Sequence, residues 1–173
     1  MKTLQAIFFC AAILLLTPTV ASAIYPATLD NGNLVLVDGG MGVGRYANRA
    51  SVAVQMYAPP NYRIAIDIVI VTFSEDYWRQ HSTYIGGPYK FSGSYTAQFR
   101  YNWDRKIVSY QRGETWFDWD INRDYSHAEG APFVPNAAEV AFVSAYNMKF
   151  FGNKTNYRNY RVIDESLYRA LGI

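Results

Sequence analysis

The segment from Tyr62 to Phe73 constrains the fold more than any other part of this sequence, because its residues alternate with a period of two. Every second position in most of the segment is isoleucine: Ile64, Ile66, Ile68 and Ile70. Such alternation is typical of a β-strand with one buried face. Residues 49–57 alternate in the same way, and Pro59 and Pro60 separate the two segments. The pair is therefore predicted to form an antiparallel hairpin.

Shorter strands are predicted on both sides of this hairpin, each ending at a turn. They cover residues 34–37, 96–102, 106–111 and 115–119. Consecutive strands joined by tight turns, with one polar face, indicate an antiparallel meander. We therefore predict a single α+β domain, with a mainly antiparallel sheet of about five or six strands.

The sequence after Pro135 favours helices. Asn136 is a candidate N-cap with Glu139 three residues later, which is capping-box spacing, and Gly152 could end the helix. Apolar residues lie all around the predicted helix, about residues 137–151, which is typical of a buried helix. A buried strand over 138–150 is the alternative. Residues 164–171, followed by Gly172, predict a short C-terminal helix.

The N-terminus has the three parts of a secretory signal peptide in order. Lys2 supplies the positive charge, residues 6–16 are apolar, and Ala21-Ser22-Ala23 forms a small-x-small cleavage site. The apolar stretch is well short of the roughly 20 residues that span a bilayer. We predict cleavage after Ala23, which leaves one globular domain (24–173), without a transmembrane segment, in the bacterial periplasm or outside the cell.

Cleavage would also remove Cys10, the single cysteine of the chain. The exported domain would then use neither disulfides nor thiolate chemistry. The whole chain has 16 basic and 14 acidic residues, a net charge of +2. So small an excess gives no electrostatic reason to expect a nucleic-acid partner.

One acidic segment resembles a calcium-binding loop. Residues 118–129 place oxygen-bearing side chains at several positions of the twelve-residue EF-hand loop, among them Asp118, Asp120, Asn122 and Glu129. Arg123 stands where that loop needs glycine. A solvated acidic loop is the preferred interpretation, and a calcium site is the alternative; no other cofactor is expected.

An enzyme is a second alternative. The chain has only two histidines, His81 and His127. Together with Glu129 and the nearby aspartates they could form the acid–base group of a small cell-envelope hydrolase. No sequence pattern brings the two histidines together, so the chain is expected to be non-catalytic.

Aromatic residues and arginine provide the leading functional hypothesis. The chain has 15 tyrosines, and several of its aromatic clusters include arginine. Tyrosine, tryptophan and arginine are enriched at protein interfaces. The predicted interaction surface comprises Trp116, Trp119, Tyr157, Arg158, Tyr160 and Arg161. Its expected partner is a cell-envelope protein or carbohydrate.

Overall fold

The computed structural model describes residues 25–73, 89–121 and 133–173, which contain seven strands and two α-helices. The strands are β1 (Thr28–Leu29), β2 (Leu34–Gly40), β3 (Val43–Ala58), β4 (Asn61–Phe73), β5 (Tyr89–Asn102), β6 (Ile107–Arg112) and β7 (Thr115–Trp119). The helices are α1 (Phe133–Tyr146) and α2 (Glu165–Leu171).

All seven strands form one antiparallel sheet, in which each strand lies beside the next along the chain. The predicted α+β class and meander are confirmed. The predicted number of five or six strands was too low. The sequence did not indicate β1, which has only two residues.

Strand β4 lies at the centre of the sheet and pairs with β3 and β5 over most of its length. Its side chains Ile64, Ile66 and Ile68 are fully buried in the main core. Val71 and Phe73 lie on the opposite face and belong to a second, smaller buried cluster. Burying an isoleucine or phenylalanine side chain contributes about 1.5–3 kcal/mol. The strand that alternates most regularly is therefore also the strand that contributes buried side chains to the clusters on both faces of the sheet.

Strand β5 begins at Tyr89, well before the predicted start at residue 96. The side chains of residues 89–96 are exposed on both faces of the strand. Because neither face is buried there, the sequence has no apolar alternation that could have revealed this half of the strand.

Helix α1 confirms the helical interpretation of the segment after Pro135, although its bounds differ from the predicted 137–151. It runs from Phe133 to Tyr146 and is buried on nearly all sides up to Val143. The capping prediction was wrong. The side chain of Asn136 lies in the first turns of the helix and donates to the carbonyl of Val37 (3.0 Å). The helix ends well before Gly152, and Asn147 follows it with a left-handed φ of 54°.

The predicted C-terminal helix is confirmed as α2. The Asp164 side chain caps it by accepting a hydrogen bond from the Ser166 amide (2.7 Å). Gly172 ends the helix with a φ of 78°, a left-handed conformation that favours glycine. Leu167, Tyr168 and Leu171 attach α2 to the main core.

A carboxyl group lies inside this apolar core. Glu139 of α1 is fully buried. One of its oxygens accepts from the Tyr168 hydroxyl (2.7 Å) and the other from the Phe151 amide (3.0 Å). Burial raises the pKa of Glu139, although these hydrogen bonds act in the opposite direction. Glu139 therefore joins α1 to two points of the C-terminal segment.

The predicted leader, residues 1–23, lies outside the described residues. Within the described ranges, neither helix has the length and apolar character needed to cross a bilayer.

Because burial raises the pKa of Glu139, the free energy of unfolding should change with pH as this group titrates. The folded chain holds the proton more tightly than the unfolded chain. Stability should therefore fall as the pH rises from about 4.5, the ordinary value, to the raised pKa of the folded state. A tenfold difference in proton affinity corresponds to about 1.4 kcal/mol.

Urea unfolding of the wild type and of Glu139→Gln across that pH range measures this contribution. Other carboxyls, such as Asp164 with its lowered pKa, act in both proteins and cancel in the difference. We expect the wild type to lose stability relative to Glu139→Gln as the pH rises. A difference that stays constant with pH would contradict the assignment.

Candidate functional site

The segment between Phe151 and α2 contains a small, closed loop. Thr155 and Arg161 form an isolated antiparallel bridge, and the Val162 amide donates to the Lys154 carbonyl (3.0 Å). Inside the bridge, the Asn156 amide donates to the Tyr160 carbonyl (2.9 Å). We call residues 155–161 the tyrosine loop.

The side chain of Asn156 organises the tyrosine loop. Its Oδ1 accepts hydrogen bonds from the amides of Arg158 (2.9 Å) and Tyr160 (3.0 Å). The Asn159 amide donates to the Asn156 carbonyl (3.0 Å), and Asn159 has a left-handed φ of 62°. Asparagine is well suited to both positions, because its short amide side chain bonds to nearby backbone and tolerates this conformation. Local hydrogen bonds therefore define the loop.

The tyrosine loop projects its large side chains into solvent. Tyr157 is 55% exposed and Tyr160 is 67% exposed. Arg158 and Arg161 are exposed as well. The Arg158 guanidinium lies 5.2 Å from the centre of the Tyr157 ring, and Arg161 forms an ion pair with Glu165. The loop thus presents two aromatic rings beside two cations, as the sequence analysis anticipated for this segment.

The two tryptophans of the predicted surface lie on opposite faces of β7. Trp119 is only 9% exposed and packs edge-to-face against Phe151, with 5.6 Å between ring centres. Trp116 lies on the other face, where the Arg100 guanidinium stacks 3.8 Å from its ring centre. Side chains three residues apart on a strand point in opposite directions, so the two rings cannot share one surface. Only Trp116 is accessible to a partner.

The candidate metal ligands are only partly described. Asp118 accepts a hydrogen bond from Ser109 on the neighbouring strand β6 (2.6 Å), and Asp120 lies just after β7. Asn122 and Glu129 lie outside the described residues, as do His81 and His127. Within residues 25–73, 89–121 and 133–173, no three acidic, histidine or cysteine side chains come together. The calcium site and the acid–base group therefore stay predictions from the sequence.

No sequence pattern indicated a cleft of about 390 Å³ beside β5, which we call the β5 cleft. Its lining includes Arg45, Tyr95, Gln98, Tyr110, Arg112 and Phe133. Arg45 forms an ion pair with Asp38. Partial burial raises the pKa of Tyr95, although nearby Arg45 acts to lower it, so the phenol stays protonated at neutral pH. Arginine side chains and phenol rings thus line one opening.

The chain matches no protein-family model, no curated protein and no solved structure. The geometry of its own residues is therefore the basis for a functional hypothesis.

Replacing the two tryptophans separately should distinguish their roles. Trp119→Ala removes a ring from the core and should lower the free energy of unfolding by about 3–5 kcal/mol. Trp116→Ala removes a partly exposed ring and should cost about 1 kcal/mol or less, chiefly through the lost Arg100 contact. Denaturant unfolding of both variants measures the two values. Equal losses would contradict the assignment of the rings to different faces.

Asn156→Ala should loosen the tyrosine loop without unfolding the domain. The amides of Arg158 and Tyr160 would lose their acceptor, at a net cost of about 1 kcal/mol. Hydrogen exchange at those two amides should become faster, while exchange in β4 should not change. Asn153→Ala, at an exposed position just before the loop, is the control. Unchanged protection in Asn156→Ala would show that other contacts hold the loop.

Proposed function

We propose that this chain is an exported, non-catalytic interaction domain that binds a cell-envelope protein or carbohydrate through the tyrosine loop. The observation that supports the proposal most directly is that local hydrogen bonds hold the loop while its tyrosines extend into solvent. The proposed export rests on the N-terminal sequence pattern.

Exposed rings on an ordered loop are well suited to binding. A tyrosine offers a large apolar area and a polar tip, and it loses little conformational entropy when it is fixed. Because Asn156 already fixes the backbone, a partner would not have to order it at the moment of binding. The arginines beside the rings could donate to carboxylates, carbonyls or sugar hydroxyls.

Binding to cell-envelope fractions tests the proposal. The double variant Tyr157→Ala/Tyr160→Ala should retain less than about a tenth of wild-type binding, since tyrosines at the centre of an interface often contribute 2 kcal/mol or more each. Tyr57→Ala is the matched control, because Tyr57 is 67% exposed at the β3–β4 turn, outside the loop. Treating the fractions with protease or with polysaccharide hydrolases shows which class of partner is bound.

A third variant, Trp116→Ala, examines the other accessible aromatic site. We expect it to bind like the wild type. Binding that survives in the double tyrosine variant, or that is lost in Trp116→Ala alone, would refute the choice of the tyrosine loop.

A further inference from the structure

Strand β5 is much longer than the strand beside it. Pairing between β5 and β6 covers only Phe99–Asn102 of β5 and ends where Phe99 faces Tyr110. Residues 89–98 pair with β4 on one side. Among the described residues, no strand pairs with their other side. Every second residue there directs its N–H and C=O groups away from β4.

The β5 cleft lies along this open edge. Five consecutive residues of β5, from Tyr95 to Phe99, line the cleft. Tyr95, Ala97 and Phe99 lie on the sheet face that packs against α1, and Thr96 and Gln98 alternate with them, so the cleft extends from that face to the edge of the strand. Tyr110, Gln111 and Arg112 of β6 also line the cleft, at and beyond Tyr110, the last residue of β6 that pairs with β5.

The part of the edge that lines the cleft lacks the features that usually prevent further strand pairing. Near its start, β5 has Lys90 and an irregularity in its pairing with β4, close to Gly93. Both features discourage edge-to-edge contacts. Residues 94–98, Ser-Tyr-Thr-Ala-Gln, contain no charge and no proline. An extended segment could pair there.

The charges at the cleft favour an acidic occupant. Arg45 on β3 and Arg112 at the end of β6 both line the cleft, and no aspartate or glutamate does. Arg45 is already paired with Asp38, but Arg112 is exposed and forms no ion pair with a described residue. Three strand spacings separate β3 from β6, roughly 14 Å. Arg112 on β6, and not Arg45 on the far side of β4, is therefore the arginine that an occupant of the outer edge of β5 would contact.

We propose that the β5 cleft binds an extended acidic peptide segment of another protein, which adds as a strand to residues 94–98 of β5. Backbone hydrogen bonds would provide affinity, and Arg112 would select acidic side chains. This site is separate from the tyrosine loop and does not depend on it.

An NMR titration of the protein as purified from cells tests the proposal. The probe is the synthetic peptide Glu-Val-Glu-Thr-Glu-Val-Glu, compared with the same peptide carrying lysine in place of glutamate. The acidic peptide should shift the amide resonances of residues 94–98 and leave those of the tyrosine loop unchanged. The lysine peptide and an acidic peptide N-methylated at its three central residues should each bind at least about tenfold more weakly.

A charge exchange provides the matched control. Arg112→Glu should reverse the preference, so that the lysine peptide binds more tightly than the acidic one. Arg105→Glu changes an exposed arginine at the β5–β6 turn, away from the cleft lining, and should keep the wild-type preference. If Arg112→Glu does not fold, comparing the acidic peptide with its N-methylated form on the wild-type protein still tests whether the peptide pairs with the strand edge.

Three results would overturn the proposal. The first is the absence of shifts at residues 94–98. The second is equal binding of the N-methylated peptide, which cannot pair with the edge. The third is tighter binding of an oligogalacturonate at the same residues, which would make the cleft a site for anionic carbohydrate. Loss of envelope binding by the tyrosine-loop variants is a separate result and leaves this one unaffected.

Discussion

The buried carboxyl of Glu139 connects the parts of this molecule that the sheet alone would leave separate. Through its two oxygens it holds the Phe151 amide just before the tyrosine loop and the Tyr168 hydroxyl just after it. The segment that presents the exposed tyrosines is thus anchored at both ends to one residue of α1. A carboxyl group in an apolar core is costly unless its hydrogen bonds are satisfied, and here both oxygens have partners. Together with the burial of Phe151 and Tyr168 in the main core, this interaction gives the loop a fixed base.

Much of the fold could be predicted from the sequence wherever one face of an element is buried. The alternation in β4 and the turns that bound β7 correspond closely to the observed strands. Prediction did not reach the first half of β5, whose side chains are exposed on both faces. It also assigned Asn136 and Glu139 to a local cap. In the folded chain these two side chains bond to Val37 and to Phe151 and Tyr168, which are distant in sequence. Capping rules describe local hydrogen bonds and cannot anticipate a distant partner.

The candidate site was predictable to a similar extent. The exposure of Tyr157 and Tyr160 follows from their place between two apolar helical segments. Alternation along β7 would have separated Trp116 from Trp119, because positions three apart on a strand face opposite ways. The role of Asn156 could also have been predicted from the sequence, since asparagine commonly closes turns of this kind. By contrast, the β5 cleft arises from the unequal lengths of β5 and β6, and nothing in the local sequence of either strand reveals where the other one stops.

The distribution of apolar side chains explains why the tyrosine loop and the β5 cleft lie at the margin of the sheet face that packs against α1. Helix α1 and the C-terminal segment cover that face, so its side chains are committed to the core. Near the other end of β4, Tyr46, Val71 and Phe73 fill a second cluster on the opposite face. Among the described residues, exposed surfaces include the ring of Trp116, the outer edge of β5 and the tyrosine loop, and the last two are the proposed binding sites. These offer different chemistry, because an edge presents backbone groups in a fixed line and a loop presents side chains. Binding at either proposed site would therefore leave the packing of the core unchanged.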